Sequence, residues 1–292
     1  MRPVSLLIGR NLRLFFRDRA GVFFSLLSAL ILIALYALFL GDLQVDNLTE
    51  AFPDADSGDI HAFVNAWVFA GITMITTLTT ALGAMTVFVD DRASGRFGDF
   101  IVSPLRRLEL ILGYLLSSFL ISLAMTLIIV AVGQVYLLTQ GDAVMTLTET
   151  GETLGYVVLS SVAFAAISSF IATFLRSSGA FAALSTVVGS VIGFLAGTYI
   201  PVGTLPEGIV NVMNALPFAQ SAMLIRQPMT AQALDALAGS QGQAADAVRT
   251  FYGITAKVGD FAVTSAFAIG VLAAVSVVFV ALGAIQLARR IR

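Results

Sequence analysis

The chain has 292 residues, of which 58% are hydrophobic and only 12% charged, far below the roughly 25% charged residues of soluble domains. Its formal net charge of -2 gives no basis for a nucleic-acid partner, and the absence of cysteine excludes disulfides, thiolate metal sites and cysteine nucleophiles. The placement of the few charges is therefore the informative quantity.

Residues 1–19 open the chain with a helical pattern. At about 100° per residue, Arg10, Arg13 and Arg17 fall on one side, with Val4, Ile8, Leu12, Phe15 and Phe16 opposite. This predicts an amphipathic helix lying in the headgroup layer of a membrane; a solvated basic leader is the plainer alternative. Six charge-free stretches follow: Gly21 to Leu40, Ala62 to Val89, Leu110 to Leu138, Thr153 to Leu175, Ser177 to Ile200 and Phe261 to Ala288. Each reaches the roughly 20 residues that a helix needs to cross a bilayer core. The first exceeds the apolar region of a signal peptide and lacks a small-residue cleavage site, so it reads as a retained span.

The second stretch carries Thr73, Thr76, Thr77 and Thr80 on one helical face, a candidate polar route or, equally in chemistry, a close-packing surface. Near its outer end His61 reads as water-facing, and Trp67, close to Asn65, fits an interfacial anchor. Residues 90–109 then mix charges with Phe97, Phe100, Ile101 and Val102 before stopping at Ser103-Pro104, which predicts a short amphipathic helix and a turn. Gln134 is an amide inside the third stretch, read as an interhelical bond or a route residue. Gly189, Gly193 and Gly197 recur every fourth residue of the fifth, the small-xxx-small pattern of helix packing or of a dimer seam. Residues 201–260 are punctuated by Pro201, Pro206 and Pro217; Gly208 to Leu216 suits a re-entrant segment. Beyond Pro228, Ala231 to Ala238 and Ala244 to Tyr252 read as two short lid helices joined by Gly239-Ser240-Gln241-Gly242.

The junctions divide by charge. Arg2, Arg10, Arg13, Arg17 and Arg19, then Arg92, Arg96, Arg106 and Arg107, then Arg176, then Arg289, Arg290 and Arg292 lie on one set. The alternate set holds only Arg226, Arg249 and Lys257, with most of the acids, among them Asp42, Asp46, Glu50, Asp54, Asp56 and Asp59. Because basic residues are retained inside, both termini are expected on the cytoplasmic side of a multi-pass protein of the cytoplasmic membrane. The expected fold is all-α, one permease domain over 1–292, with six transmembrane helices, an interfacial helix at 1–19, a cytoplasmic segment at 90–109 and outer re-entrant and lid helices at 201–260.

Two segments carry a family likeness. Asp91 to Gly113 holds an acid-Arg-x-x-Gly, an apolar run, Ser-Pro and a Leu-Gly opening the third span; Ala196 to Arg226 holds Ala-Gly, Tyr-Ile-Pro, Leu-Pro, Leu-Pro-Phe and Arg226 in order. In these the chain resembles the permease subunits of type-2 ATP-binding-cassette (ABC) exporters, which include drug-resistance, lipid and polysaccharide permeases. Gln220 departs from the Ser, His, Arg or Tyr that the family favours there. The resemblance implies a pair of permeases, copy or paralogue, with two ATPases, and a coupling helix over Asp91 to Leu105. Asp91, Arg92, Gly95, Phe97, Phe100 and Pro104 would then contact the ATPase, with residues 1–19 completing that contact. No Gly-x-x-x-x-Gly-Lys-Ser/Thr phosphate loop exists and the only lysine is Lys257, so ATP and Mg are expected on a separate ATPase. No catalytic, cofactor or metal residue is expected in this chain.

The six stretches contain no Asp, Glu, Lys or Arg, which disfavours an ion-coupled carrier and an intramembrane hydrolase. The leading expectation is an exporter of hydrophobic or amphipathic cargo, drug-like (multidrug efflux) or lipid. Polysaccharide or glycolipid export is the alternative within the family; a six-span carrier or channel, or a membrane anchor or sensor, lies outside it.

Overall fold

The computed structural model describes residues 2–102, 106–239 and 242–290. In chain order the helices are α1 (Arg2–Arg17), α2 (Arg19–Leu35), α3 (Gly41–Ala51), α4 (Ser57–Ala84), α5 (Thr86–Ala93), α6 (Arg96–Val102), α7 (Arg107–Gln140), α8 (Leu147–Ala172), α9 (Ser178–Leu195), α10 (Glu207–Ala215), α11 (Pro217–Ala238), α12 (Gly242–Phe251) and α13 (Ser265–Arg290). A π-turn at Tyr36–Leu40 joins α2 to α3, and β1 (Ala256–Val258) pairs antiparallel with β2 (Phe261–Val263). Among the described residues, six helical segments are long and apolar enough to cross a membrane. The chain is an all-α polytopic membrane protein, its arginine-rich junctions at one end of the bundle and its acid-rich junctions at the other.

Local chemistry sets the breaks. Asp18 leaves helical geometry between α1 and α2, and its carboxylate accepts the Gly21 N–H at 3.0 Å, closing one of the free donors of a helix start. Phe52, before Pro53, leaves the helical region that a following proline disfavours (φ -131°, ψ 71°), and α3 stops there. Asp56 caps α4 by accepting from Gly58 N–H at 2.7 Å. Thr146 and Glu149 form a reciprocal cap on α8. Over its 34 residues α7 is about 50 Å long, more than a bilayer core.

The middle of the bundle is α4, 83% of whose apolar window is buried, against 17% for α13. It packs on α2, α7, α8 and α11, and the main core gathers Leu32, Trp67, Ile72, Ile75, Phe164, Met223 and Ile225 from them. Close approach depends on small residues: a Cβ on Gly71 would collide with Thr198 Cγ2.

Three expectations are corrected at the acidic end. Ala231 to Ala238 is no separate lid helix but the last turns of α11, which runs on through Pro228; dense burial on both sides of the proline holds the helix together. Phe261 to Val263 is a strand, turned on Gly259 (φ 57°), and the last span begins at Ser265. Trp67 is no interfacial anchor: it is 1% exposed, donates from Nε1 to Tyr252 O at 2.8 Å, and packs edge-on to Tyr36 and Tyr252. Where a re-entrant segment is expected, α10 and α11 meet at an 87° bend; Pro206 precedes α10 and Pro217 fills the first position of α11. Pro201 leads into a single 3-10 turn at Val202–Thr204.

Candidate functional site

At the basic end, three consecutive side chains of α5 reach α1, α6, α7, α9 and the turn after α8. Asp91 is 1% exposed and receives both arms of Arg10 from α1, at 2.6 and 2.7 Å. Tyr114 of α7 donates to the same carboxylate at 2.7 Å, and Arg96 of α6 stands 3.6 Å away. A two-pronged arginine–carboxylate pair is among the strongest and most directional polar contacts available. The hydrogen bond to Asp91 holds the Arg10 pKa above the ordinary arginine value, outweighing the opposite effect of burial. Arg92 donates to the carbonyls of Thr173 at 2.7 Å and Leu175 at 3.4 Å, just beyond α8, where a cation also suits the helix dipole. Asp90 accepts from the Ser178 hydroxyl at the start of α9. One helical turn thus fixes α1, α7, α8 and α9.

The chain then bends. Gly95 has φ 81°, and no atom from elsewhere in the fold stands within 4 Å of where its Cβ would be, so backbone geometry alone requires glycine there. Phe97 is turned inward onto Phe88, centroids 5.7 Å apart, and Phe88 onto Tyr114 at 5.1 Å. The Arg10 guanidinium lies 5.3 Å over the Phe100 ring. The outward surface of the elbow is left to Ala93, Ser94, Gly95, Arg96, Gly98 and Asp99. Pro104 lies outside the described residues. Gly113 permits α1 to settle on α7, since a Cβ there would come 2.9 Å from Leu7 Cβ.

A cleft of about 810 Å³ runs between α2, α4 and α9, with Phe24, Ile31, Phe39 and Phe194 among its apolar walls and Ser25, Thr79, Thr186 and Ser190 among its polar ones. The volume suits a drug-sized molecule. Thr73, Thr76, Thr77 and Thr80 are not among the described cleft residues; they are fully buried and donate to the carbonyls of Phe69, Ile72, Met74 and Thr76. Gln134 sits toward the acidic end of α7, where its Oε1 accepts the Met145 N–H at 2.9 Å. Gly189 is in the cleft wall facing Ser28, Gly193 lies beneath the Tyr199 ring, and Gly197 turns the chain after α9 with φ 59°. All three have neighbours within this protomer.

At the acidic end the buried charge is Arg226 of α11, 1% exposed. It donates to the carbonyls of Ala196, Gly197 and Gly253 at 3.0, 2.6 and 3.3 Å and lies 5.4 Å over Trp67. The carbonyls that end α9 are thereby tied to the turn after α12.

Sequence reasoning picked out Asp91, Arg92, Gly95, Phe97 and Phe100 but missed Arg10, Tyr114, Asp90 and Ser178 as their partners. An arginine on the polar face of an amphipathic helix facing an acid in an otherwise apolar junction was the available signal. No curated protein matches the sequence. A protein-family model described as ABC-2 type transporter matches residues 2–229, which takes in the Asp91 cluster, the elbow, the cleft and Arg226. With that match over most of its length, the chain belongs to the ABC-2 type transporter family and is a membrane-spanning permease component of an ABC transporter.

Proposed function

We propose that this permease exports a hydrophobic or amphipathic compound, drug-like or lipid, from the cytoplasmic membrane, driven by ATP and Mg on a separate ATPase subunit. The basic end is cytoplasmic in this reading, both termini lie there, and two permeases, copies or paralogues, face each other in the transporter. One observation carries the proposal: both long walls of the apolar cleft are anchored to the α5–α6 elbow. The α9 wall starts at Ser178, bonded to Asp90. The α2 wall starts at Asp18, directly after the α1 helix that Arg10 clamps to Asp91. A push on the exposed elbow by an ATPase would reach both walls through those bonds, and the route for cargo would open or close as they move.

The lining supports apolar cargo. Its polar groups are hydroxyls, and no fixed charge projects among the described cleft residues. An α9 wall that is largely uncovered also suits a helix facing cargo or a second permease. The aromatic residues of the described lining, Phe24, Phe39, Phe194 and Tyr199, are spread over three segments of chain, which favours an amphiphile over a polysaccharide stacked on a continuous aromatic platform.

The test is to purify the tagged chain in mild detergent from its native host, identify what accompanies it by mass spectrometry and assay ATP hydrolysis. A stoichiometric ATPase whose activity responds to amphipathic compounds is expected. A folded chain that travels without any ATPase would overturn the proposal in favour of a carrier or channel.

A further inference from the structure

The first span changes its helical register part-way along. Between α2 and α3 the Gly41 N–H donates to Tyr36 O, five residues back instead of the four of an α-helix. Such a π-turn inserts one extra residue, and π-turns are rare and recur at functional sites. Nothing local demands one here: Tyr36, Ala37, Leu38, Phe39 and Leu40 include no proline or glycine. The cause lies in the faces on either side. Below the turn the chain buries Ser25, Ala29, Leu32 and Tyr36 at helical spacing, and above it Gln44 and Leu48. An unbroken α-helix continuing from Tyr36 would put Leu43 and Asn47 on that face, at about 100° per residue, yet both are exposed. The two buried faces are out of phase by one residue, and the π-turn absorbs the difference.

Of the two segments, α3 is the fixed one. Its Gln44 Oε1 accepts the Tyr252 hydroxyl at 3.0 Å, and turning it would bury the Asn47 amide where Leu48 now packs. For α2 the balance differs. Asp18 breaks the chain at its other end, and the Tyr36 hydroxyl reaches Tyr199 O only at 3.4 Å. One residue after each buried position stand Leu26, Leu30, Ile33 and Ala37, so the neighbouring face can be buried without stranding a charge or a polar group. If the turn became α-helical while α3 stayed, α2 would rotate by about 100° and each residue would give its place to the next. The cleft wall would exchange Phe24, Ser28, Ile31 and Leu35 for Ser25, Ala29, Leu32 and Tyr36. A phenylalanine would leave the basic end of the cleft, and a tyrosine would replace leucine at the acidic end.

We propose that the π-turn is a register switch, by which α2 rotates one residue about its own axis between two settings that obstruct opposite ends of the cleft. That the rotation gates cargo rests on the cleft being the cargo route; the rotation itself does not. Two alterations bias the switch in opposite directions. A Cβ at position 41 would stand 2.7 Å from Tyr36 O, so Gly41→Ala disfavours the π-turn and favours the rotated setting. Deleting the exposed Ala37 removes the extra residue, keeps both buried faces in phase and holds α2 in its present setting. The chain has no cysteine, so introduced pairs report the register. A Cβ at position 189 would lie 2.7 Å from Ser28 Oγ. Ser28→Cys/Gly189→Cys therefore reads the present setting, and Ala29→Cys/Gly189→Cys the rotated one. The full chain in phosphatidylcholine nanodiscs is oxidised with copper phenanthroline, and disulfide closure is followed by mass spectrometry of its proteolytic fragments. The position 28 pair is expected to close faster in the unaltered background. Gly41→Ala should shift closure toward the position 29 pair, and deletion of Ala37 should abolish closure of that pair. Each alteration decides separately, so one that fails to insert leaves the other to answer. Closure ratios that ignore the alteration, or a position 29 pair that closes in no background, overturn the switch. No cargo enters this measurement, so that result would leave the cleft as a cargo route to be judged by transport.

Discussion

The Asp91 carboxylate, 1% exposed, is held by Arg10 and Tyr114 with Arg96 close by. Taking one partner from a buried pair leaves an uncompensated charge, which costs about 3–5 kcal/mol. Arg10→Ala should therefore lower the thermal stability of the purified chain more than Arg10→Ala/Asp91→Asn does, because the double variant has no orphaned carboxylate. A loss in the double variant equal to the sum of the two single losses would show that the two residues are not coupled. Tyr114→Phe removes one bond to a charged acceptor and should cost about 1.5–3 kcal/mol. The sign of the pH effect follows from the raised Arg10 pKa. Its stabilisation is complete below the ordinary arginine value and is lost only as pH rises through the higher folded one, so this cation contributes no pH dependence in the neutral range. The acid was legible in the sequence as a charge in a junction with apolar neighbours. Its partner was not, because the two stand 81 residues apart and only the packing of α1 on α7 brings them together.

At the scale of elements, the elbow and the Arg226 contacts make separate predictions. Gly95→Ala puts a side chain at φ 81° with free space around it, so the cost is the left-handed backbone alone, about 1–2 kcal/mol. Membrane insertion should be normal, while ATP hydrolysis and transport become uncoupled; full coupling in the variant would remove the elbow from the mechanism. Arg226→Met leaves the carbonyls of Ala196, Gly197 and Gly253 without their donor. Amide hydrogen exchange should then quicken in α12 and β1–β2 but not in α1 or α7, and Arg226→Lys, with a single ammonium in place of the planar fork, should recover only part of the protection. Uniform quickening would mean that Arg226 supports the whole bundle rather than the contact between the end of α9 and the turn after α12. The spans were legible because lipid demands long charge-free runs. The strand pair was hidden because Phe261 to Val263 continues into the last apolar run, although Gly259-Asp260 is a hairpin signal. Pro228 was read as a breaker, a local rule that burial of α11 overrides. Trp67 at the end of an apolar run looked like an anchor until α11 and α12 were seen to cover it.

For the whole molecule, span number could be read from the residues but the order of packing could not, since charge-free runs look alike whether they face lipid or protein. One clue lay in composition: α4, the most buried span, is less apolar than α13, the least buried. Span α9 is no more apolar than α4, yet only 22% of its window is covered within the chain. If that surface and α2 are the moving walls of a cargo route, tying them together should stop transport. The chain supplies a clean background, having no cysteine. A Cβ at position 189 would lie 2.7 Å from Ser28 Oγ, so Ser28→Cys/Gly189→Cys brings two sulfurs within the short Cβ separation that a disulfide spans. Under oxidation the pair should close, ATP-driven transport should fall to background, and dithiothreitol should restore it, with either single cysteine unaffected. Transport that continues through a quantitatively closed disulfide would mean that α2 and α9 travel as one body, and the opening would have to lie between permeases instead of within one.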